Sequence, residues 1–526
     1  MKSDKLTDAI GMIDEDLIAE ADIKMKKGYV QYIKWLIPIA AVLMIMIVSV
    51  PFLKQDKPTT HNPSIEGTSH STEQPTNGEN PSKGGNSLIP EIPSKKPSEE
   101  PSTGTLIPSI GDNIITPVVK TLNFAKYPQM VQYPSSFEDY PAWYDSKKER
   151  KVYYGAGKNL GPFFWKTSQE FLSDAGSENR LYSPLNVYMA LAMTAEISDG
   201  QTRQQILDLI GADSIESLRK QANSVWNANY SDDGAVTSIL ASSLWLNNNL
   251  SFNKKIIDTL GTNYYASSYQ GTMGSEELNK ELRKWLNEQT GGMLNGEISD
   301  IALDSRTIMA LATTIFYQAK WGHEFRELHT VQNVFHSPTG DVNCDFMNST
   351  EYDELYFWGK NFSAVSKQLA NSGKMYFILP DENVSVDDLL TDNEVKSFLT
   401  EGNRWSNYEK IRINLSVPKF DVSSEQDLKK GLQNLGVKSC FDETKSDFSS
   451  LCPDFKAPIF VSKIEHGVRV AIDEEGVTAT AYTVEMTAGS SRPTDDEIDF
   501  VLDRPFIFVI TSDDGLPLFI GVVNQP

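Results

Sequence analysis

From Trp35 to Leu53 the chain carries no charged residue. At a rise of about 1.5 Å per residue a helix of that length spans roughly 30 Å, the thickness of a bilayer core. The pattern predicts a transmembrane helix over 35–53. The polar stretch before it holds Asp14, Glu15, Asp16, Glu20 and Asp22, followed by Lys24, Lys26, Lys27 and Lys34. That leader is too long for the charged region of a signal peptide, and no small-x-small cleavage site follows. The lysines gathered before the span place residues 1–34 in the cytoplasm as a tail and everything after Leu53 outside the cell. The expected location is therefore a cell membrane crossed once.

Residues 54–120 contain ten prolines with many Ser, Thr, Gly and Asn, and no aromatic residue or cysteine. Such a stretch cannot bury enough apolar surface to fold, and it reads as a disordered linker. Aromatics return at Phe124, Tyr127, Tyr133, Trp143, Tyr144 and Tyr153. The globular unit is expected from residue 121, with 121–157 as an extension and 158–526 as the main domain. Helical periods predict helices over Phe163–Leu172, Val187–Glu196 (entered through Ser183-Pro184) and Glu276–Gln289, the last with Leu278, Leu282, Trp285 and Leu286 on one face. Strands are expected at Ile239–Leu246, Thr307–Gln318, Met375–Leu379, Ile411–Val417, Arg469–Asp473 and Pro505–Thr511. Long strands mixed with helices in no regular βαβ order indicate an α+β fold.

Charge narrows the function. A net charge of -23 argues against nucleic acid as a partner, because phosphate binding needs clustered Lys and Arg. Three cysteines, Cys344, Cys440 and Cys452, are too few for a disulfide framework. A Cys440–Cys452 bridge fits the spacing, but separate core thiols are the expectation. Of the folded part's histidines, His323, His329, His336 and His466, the first two are spaced for different faces of a helix, and no HExxH is present, so neither a metal nor a cofactor is expected. No G-x-S-x-G elbow, P-loop or G-x-G-x-x-G occurs, and the chain is not read as an enzyme. Asp473, Glu474 and Glu475 read as a solvated, charged entrance to a loop.

The segment from Glu474 to Thr483 is dominated by small and β-tolerant residues, lacks proline and has one glycine, Gly476. Alternate positions put Val477, Ala479, Ala481 and Thr483 on one side, and Thr478, Thr480 and Tyr482 on the other. The first set is compact enough to enter a packed core. Glu485, next on that side, breaks the pattern. The residues alone fit two readings equally: a loop able to slide into a sheet as a new strand, or a half-buried strand with an acidic start.

Several segments resemble the serpin family in that family's order: NRLYSPLNVYMALAMTAEISDGQTRQQILDLIG from Asn179, SLWLNNNLSFNKKIIDTL, LNKELRKWLNEQTGGMLNGEIS, TTIFYQAKWGHEF, MYFILP, VPKF, KIEHGVRVAIDEEGVTATAYT, and RPFIFVI through to the closing NQP. The likeness covers roughly 158–526, and the chain resembles a serpin of bacterial type with an N-terminal membrane anchor.

The resemblance implies a central five-stranded sheet able to accept a reactive loop as a sixth strand, with further sheets and about eight or nine helices. It also implies a monomer that acts as an irreversible suicide-substrate inhibitor of an extracellular serine-type protease, forming a covalent acyl complex with it. The loop hinge would be Glu474, Glu475, Gly476, Val477, Thr478, Ala479, Thr480 and Ala481. Counting on from Gly476 places the scissile bond at Ser490-Ser491, with Met486, Ala488 and Arg492 as further candidates in a loop somewhat longer than usual. Pro493 makes Arg492 a poor site, and the small and apolar set favours an elastase-like or subtilisin-like target. The sheet-opening region would comprise Ser183, Asn186, Thr313, Trp321 and His466. Asn186 stands where the family usually has a serine, and Thr313 where it has an asparagine, leaving one threonine hydroxyl to offer to His466. The alternative within the family is a non-inhibitory member serving as a tethered binding module at the cell surface, and bulky or proline-bearing hinges, absent here, mark such proteins.

Overall fold

The computed structural model describes residues 40–50, 119–401, 405–477 and 496–526. Two nine-stranded sheets carry the fold. The first runs in the order β13 (Phe420–Asp427), β14 (Phe460–Ile472), β1 (Ala40–Ser49), β7 (Thr307–Lys320), β5 (Thr237–Asn247), β6 (Ala266–Gly271) and β2 (Val119–Asn123). Two short strands join its faces of pairing: β15 (Gly476–Val477) on β7 and β4 (Ser231–Asp232) on β5. The second sheet runs β16 (Glu497–Val501), β12 (Tyr408–Pro418), β9 (Gly340–Trp358), β10 (Phe362–Gln368), β11 (Lys374–Pro380), β17 (Phe506–Thr511), β18 (Pro517–Val523) and β3 (Arg180–Tyr182), with β8 (Val331–Ser337) on β9. With helices packed against both, the α+β expectation holds.

The central sheet is buried on both faces. The helix Pro184–Ile197 lies against one face, and every one of its residues is buried, which explains a composition apolar all round. Ser183 caps it, its hydroxyl accepting from the Asn186 N–H, and Pro184 supplies the fixed φ of the first turn. On the other face Leu278, Leu282, Trp285 and Leu286 of the helix Glu276–Gln289 make a second, smaller core. The helix Gly161–Leu172 and the expected strands stand where the pattern placed them, although β14 runs 13 residues where only its last third was expected. Ser462, Lys463, Glu465 and His466 obscure the apolar signal of its first part.

The expected transmembrane helix is corrected here. Its described part, Ala40–Ser49, is a strand at the middle of the central sheet. The physical reason is that an uncharged apolar run suits a strand covered on both faces as well as it suits lipid, and periodicity cannot separate the two. Its β-branched residues Val42, Ile45, Ile47 and Val48 favour the strand. Residues 35–39 and 51–53 lie outside the described residues, as do the expected tail 1–34 and all of the expected linker except Val119 and Lys120, which belong to β2. No helix among the described residues is long and apolar enough to cross a membrane.

β1 is antiparallel to both β14 and β7, so those two run parallel to each other with β1 filling the space between. The resemblance implied a central sheet of five strands able to accept a sixth; the sheet has nine, and β1 lies between β14 and β7. Met44, Met46 and Val48 join the main core, whereas Leu43 and Ile45 join the smaller one. Cys440 and Cys452 are unbridged and buried, and burial pushes both thiols up to about 12. Cys344 is also free, so the bridged alternative is set aside.

Candidate functional site: the loop hinge and the gate below it

Where β14 ends, the chain turns back over the top of β7. The Asp473 carboxylate makes the turn by accepting the N–H groups of Glu475 (2.8 Å) and Gly476 (3.3 Å). Its pKa is raised to about 6: burial dominates, and those two backbone bonds only partly offset it. Trp321 holds the turn at two points, its indole N–H donating to the Asp473 carbonyl (2.9 Å) and its backbone N–H to the Glu475 carbonyl (3.1 Å). The Phe325 N–H donates to the Glu474 carbonyl at 2.9 Å.

Glu474 corrects the expectation of a solvated entrance. It is 8% exposed, and its carboxylate meets the Lys419 ammonium at 2.7 Å and the Thr330 hydroxyl at 2.7 Å. Burial would lift this carboxyl, but those partners outweigh it and hold the group below its ordinary value. Only Glu475 points to solvent. Beneath Trp321 and Phe325 sits the buried Lys367, whose ammonium lies 4.3 Å from the Phe325 ring centre and pairs with Glu351. Burial lowers the Lys367 pKa, and Glu351 opposes the shift. Phe325 and Lys419 lie in segments that resemble the family, but nothing in the sequence joined them, or Thr330, Lys367 and Glu351, to Glu474 and Trp321.

Gly476 is required by two facts: its φ is +122°, and a Cβ there would lie 2.3 Å from the Trp321 nitrogen. Beyond it β15 pairs antiparallel with the end of β7, Gly476 opposite Lys320 and Val477 opposite Ala319. The hinge thus enters as a strand aimed down β7. Thr478, Ala479, Thr480 and Ala481, and the scissile candidates Met486, Ala488, Ser490, Ser491 and Arg492, lie outside the described residues.

Lower down, the gate residues come together, though not as expected. The Thr313 hydroxyl on β7 donates to Asn186 Oδ1, and the Asn186 amide returns a bond to the Thr313 carbonyl at 3.3 Å. Thr313 does not reach His466. Met44 of β1 is the register partner of both, and so separates them. His466 is 1% exposed; its Nε2 accepts from the Ser183 N–H at 3.2 Å, while Nδ1 has no partner. That assigns the proton to Nδ1. Burial drives the His466 pKa down to about 3, so the ring is neutral. Ser183 also donates to the Leu518 carbonyl at 2.7 Å, tying the gate to β18. Trp321 stands apart from this group, at the top.

A polar cleft of about 880 Å3 lies beside the hinge, and both His323 and His329 line it. They are not on a helix, as the spacing had suggested: His323 follows β7, and His329 ends a short 3-10 turn, Glu327–His329. An apolar pocket of about 390 Å3 opens elsewhere, between the helix Gly161–Leu172 and the second sheet, lined by Phe164, Trp165, Phe357, Tyr376, Phe398 and Leu516 among others.

The family described as Serpin (serine protease inhibitor) matches residues 159–526. Serpin-ZX of Arabidopsis thaliana is 28% identical over 365 residues, covering 66% of this chain and 93% of that protein. Alpha-1-antiproteinase of Rattus norvegicus is 26% identical over 387 residues, covering 71% and 90%. Among solved structures, Arabidopsis AtSerpin1 in its native stressed conformation superposes with a TM-score of 0.60 at 25% identity, over 72% of this chain and 98% of that one. The thermophilic serpin tengpin in its native state gives 0.61 at 24% identity, over 78% and 100%, and shows the shared fold. These relatives are of plant, mammalian and thermophilic description, and the finer reading of a bacterial type gains nothing from them.

Proposed function

The chain belongs to the serpin family, and from that premise we propose that it is an irreversible suicide-substrate inhibitor of an extracellular serine-type endopeptidase, elastase-like or subtilisin-like. The observation that carries this reading is β15. Continued one residue for one along β7, its register would set Ala479 opposite Tyr317, Ala481 opposite Ile315 and Thr483 opposite Thr313, against the main core, with Tyr482 on the opposite face. The small residues thus fall on the tightly packed side, as a strand of late entry requires.

In the proposed reaction the protease serine oxygen attacks the carbonyl carbon of a loop peptide bond among residues 486–492. Its proton passes through the protease's own base to the departing amine, the C–N bond breaks, and an ester joins the two proteins. Water would complete the cleavage unless the freed hinge enters the sheet first and carries the protease away from the geometry that hydrolysis needs. A kinetic barrier holds the uncleaved state until then.

The test is to mix a chain beginning at residue 112, which keeps β2 and the whole family-matching region, with neutrophil-type elastase, subtilisin and trypsin. A band at the summed mass on a denaturing gel, with the released C-terminal fragment weighed to fix the bond, supports the trap. Clean loop cleavage by all three with no covalent band opposes it. The apolar pocket near Phe164 and Tyr376 favours a second reading, a non-inhibitory binding module. That reading predicts loop cleavage without trapping, together with uptake of an apolar ligand at that pocket.

A further inference from the structure

We propose that Ala40–Ser49 is a built-in latch, a strand of this chain that occupies the place the reactive loop must enter and keeps the inhibitor from trapping until it leaves; the proposal rests on the inhibitory reading above. Each of the ten residues of β1 has a register partner on β14 and another on β7. Neighbouring strands stand about 4.8 Å apart, so one strand fills the space and uses the backbone groups on both sides. Among the described residues, Val477 pairs with Ala319 and Ala40 with Tyr317, so on this edge of β7 only Gln318 lies between the two pairings.

The two strands would compete position for position. In the extended register the place of Met44 falls to Thr483, that of Ile45 to Val484 and that of Met46 to Glu485. Met44, Ile45, Met46 and Val48 are each 1% exposed or less, and the Met46 sulfur accepts the Thr194 hydroxyl at 3.4 Å. The loop would bring a carboxylate to the place of Met46, where burial without a partner is costly. β1 therefore fits the lower half of the site better than the loop does. Its far end is fastened too, the Ser462 hydroxyl donating to the Ile47 carbonyl (3.1 Å) and the Val50 N–H to the Arg306 carbonyl (3.3 Å). The strand lies outside the family-matching region, which begins at residue 159.

The experiment uses the full chain and the same chain carrying Ile45→Asp and Met46→Asp, or, should that fail to fold, one with residues 40–49 replaced by Gly and Ser. Amide exchange over 41–48 and covalent complex with subtilisin or elastase are both measured. The latch requires slow exchange over 41–48 in the full chain, fast exchange in the variant, and a fraction of cleaved inhibitor found in complex that rises about tenfold or more in the variant. Fast exchange in the unaltered chain, or equal trapping by both chains, overturns the latch. Slow exchange that the substitutions abolish, with no complex from either chain, keeps the latch as resident strand and overturns the inhibitory reading instead.

Discussion

Thr313 and His466 face each other across the central sheet without touching, because Met44 is the register partner of both. The two residues consequently have different partners, which the Asn186 N–H to Ser183 hydroxyl bond links. Thr313 is bound to Asn186, and His466 to the Ser183 backbone.

The Asn186–Thr313 pair should behave as one unit. Asn186→Ala and Thr313→Val each remove a buried partner and should each cost about 1–3 kcal/mol, whereas the double variant should cost less than their sum by about 1 kcal/mol. Denaturant unfolding of the four proteins measures this. Strict additivity would show that the two bonds seen here are not made in solution.

His466 makes stability depend on pH in a stated direction. Its folded pKa is near 3, well below that of an unfolded histidine, so the unfolded state binds more protons between about 6.5 and 3. The stability it contributes is whole above pH 6.5 and is lost as pH falls through that window. His466→Gln should flatten the fall in Tm between pH 7 and pH 4 relative to the parent.

Asp473 works in the opposite sense. Its folded pKa is raised to about 6, so the folded state binds the extra proton between about 4 and 6, and stability declines as pH rises through that window. Asp473→Asn keeps an oxygen for the Glu475 and Gly476 N–H groups and removes the charge. The variant should melt above the parent at pH 7.5, with the difference shrinking toward pH 4.

Glu485 should limit the depth of loop entry. In a chain beginning at residue 112, Glu485→Val should raise the share of cleaved molecules found in covalent complex, read by densitometry of the denaturing gel. An unchanged share would mean that the loop does not run in the register of β15.

Much of this was legible in the sequence. The helix Glu276–Gln289 was readable to the residue because one face is apolar and the other charged. The fate of Ala40–Ser49 was not readable, since an apolar run records only that both faces are shielded from water, not by what. Nor were the partners of Glu474, because nothing local in the sequence pairs it with Lys419 or Thr330, which lie 55 and 144 positions before it. The carboxylate looked solvated only because its neighbours in sequence are charged.

The most direct test of the loop's proposed path is amide exchange over residues 478–487 in a chain beginning at residue 112, before and after cleavage of the loop by subtilisin. The account requires fast exchange before the cut and slow exchange after it, with a rise in Tm, as the loop takes its place between β7 and β14. Fast exchange in both states would contradict it.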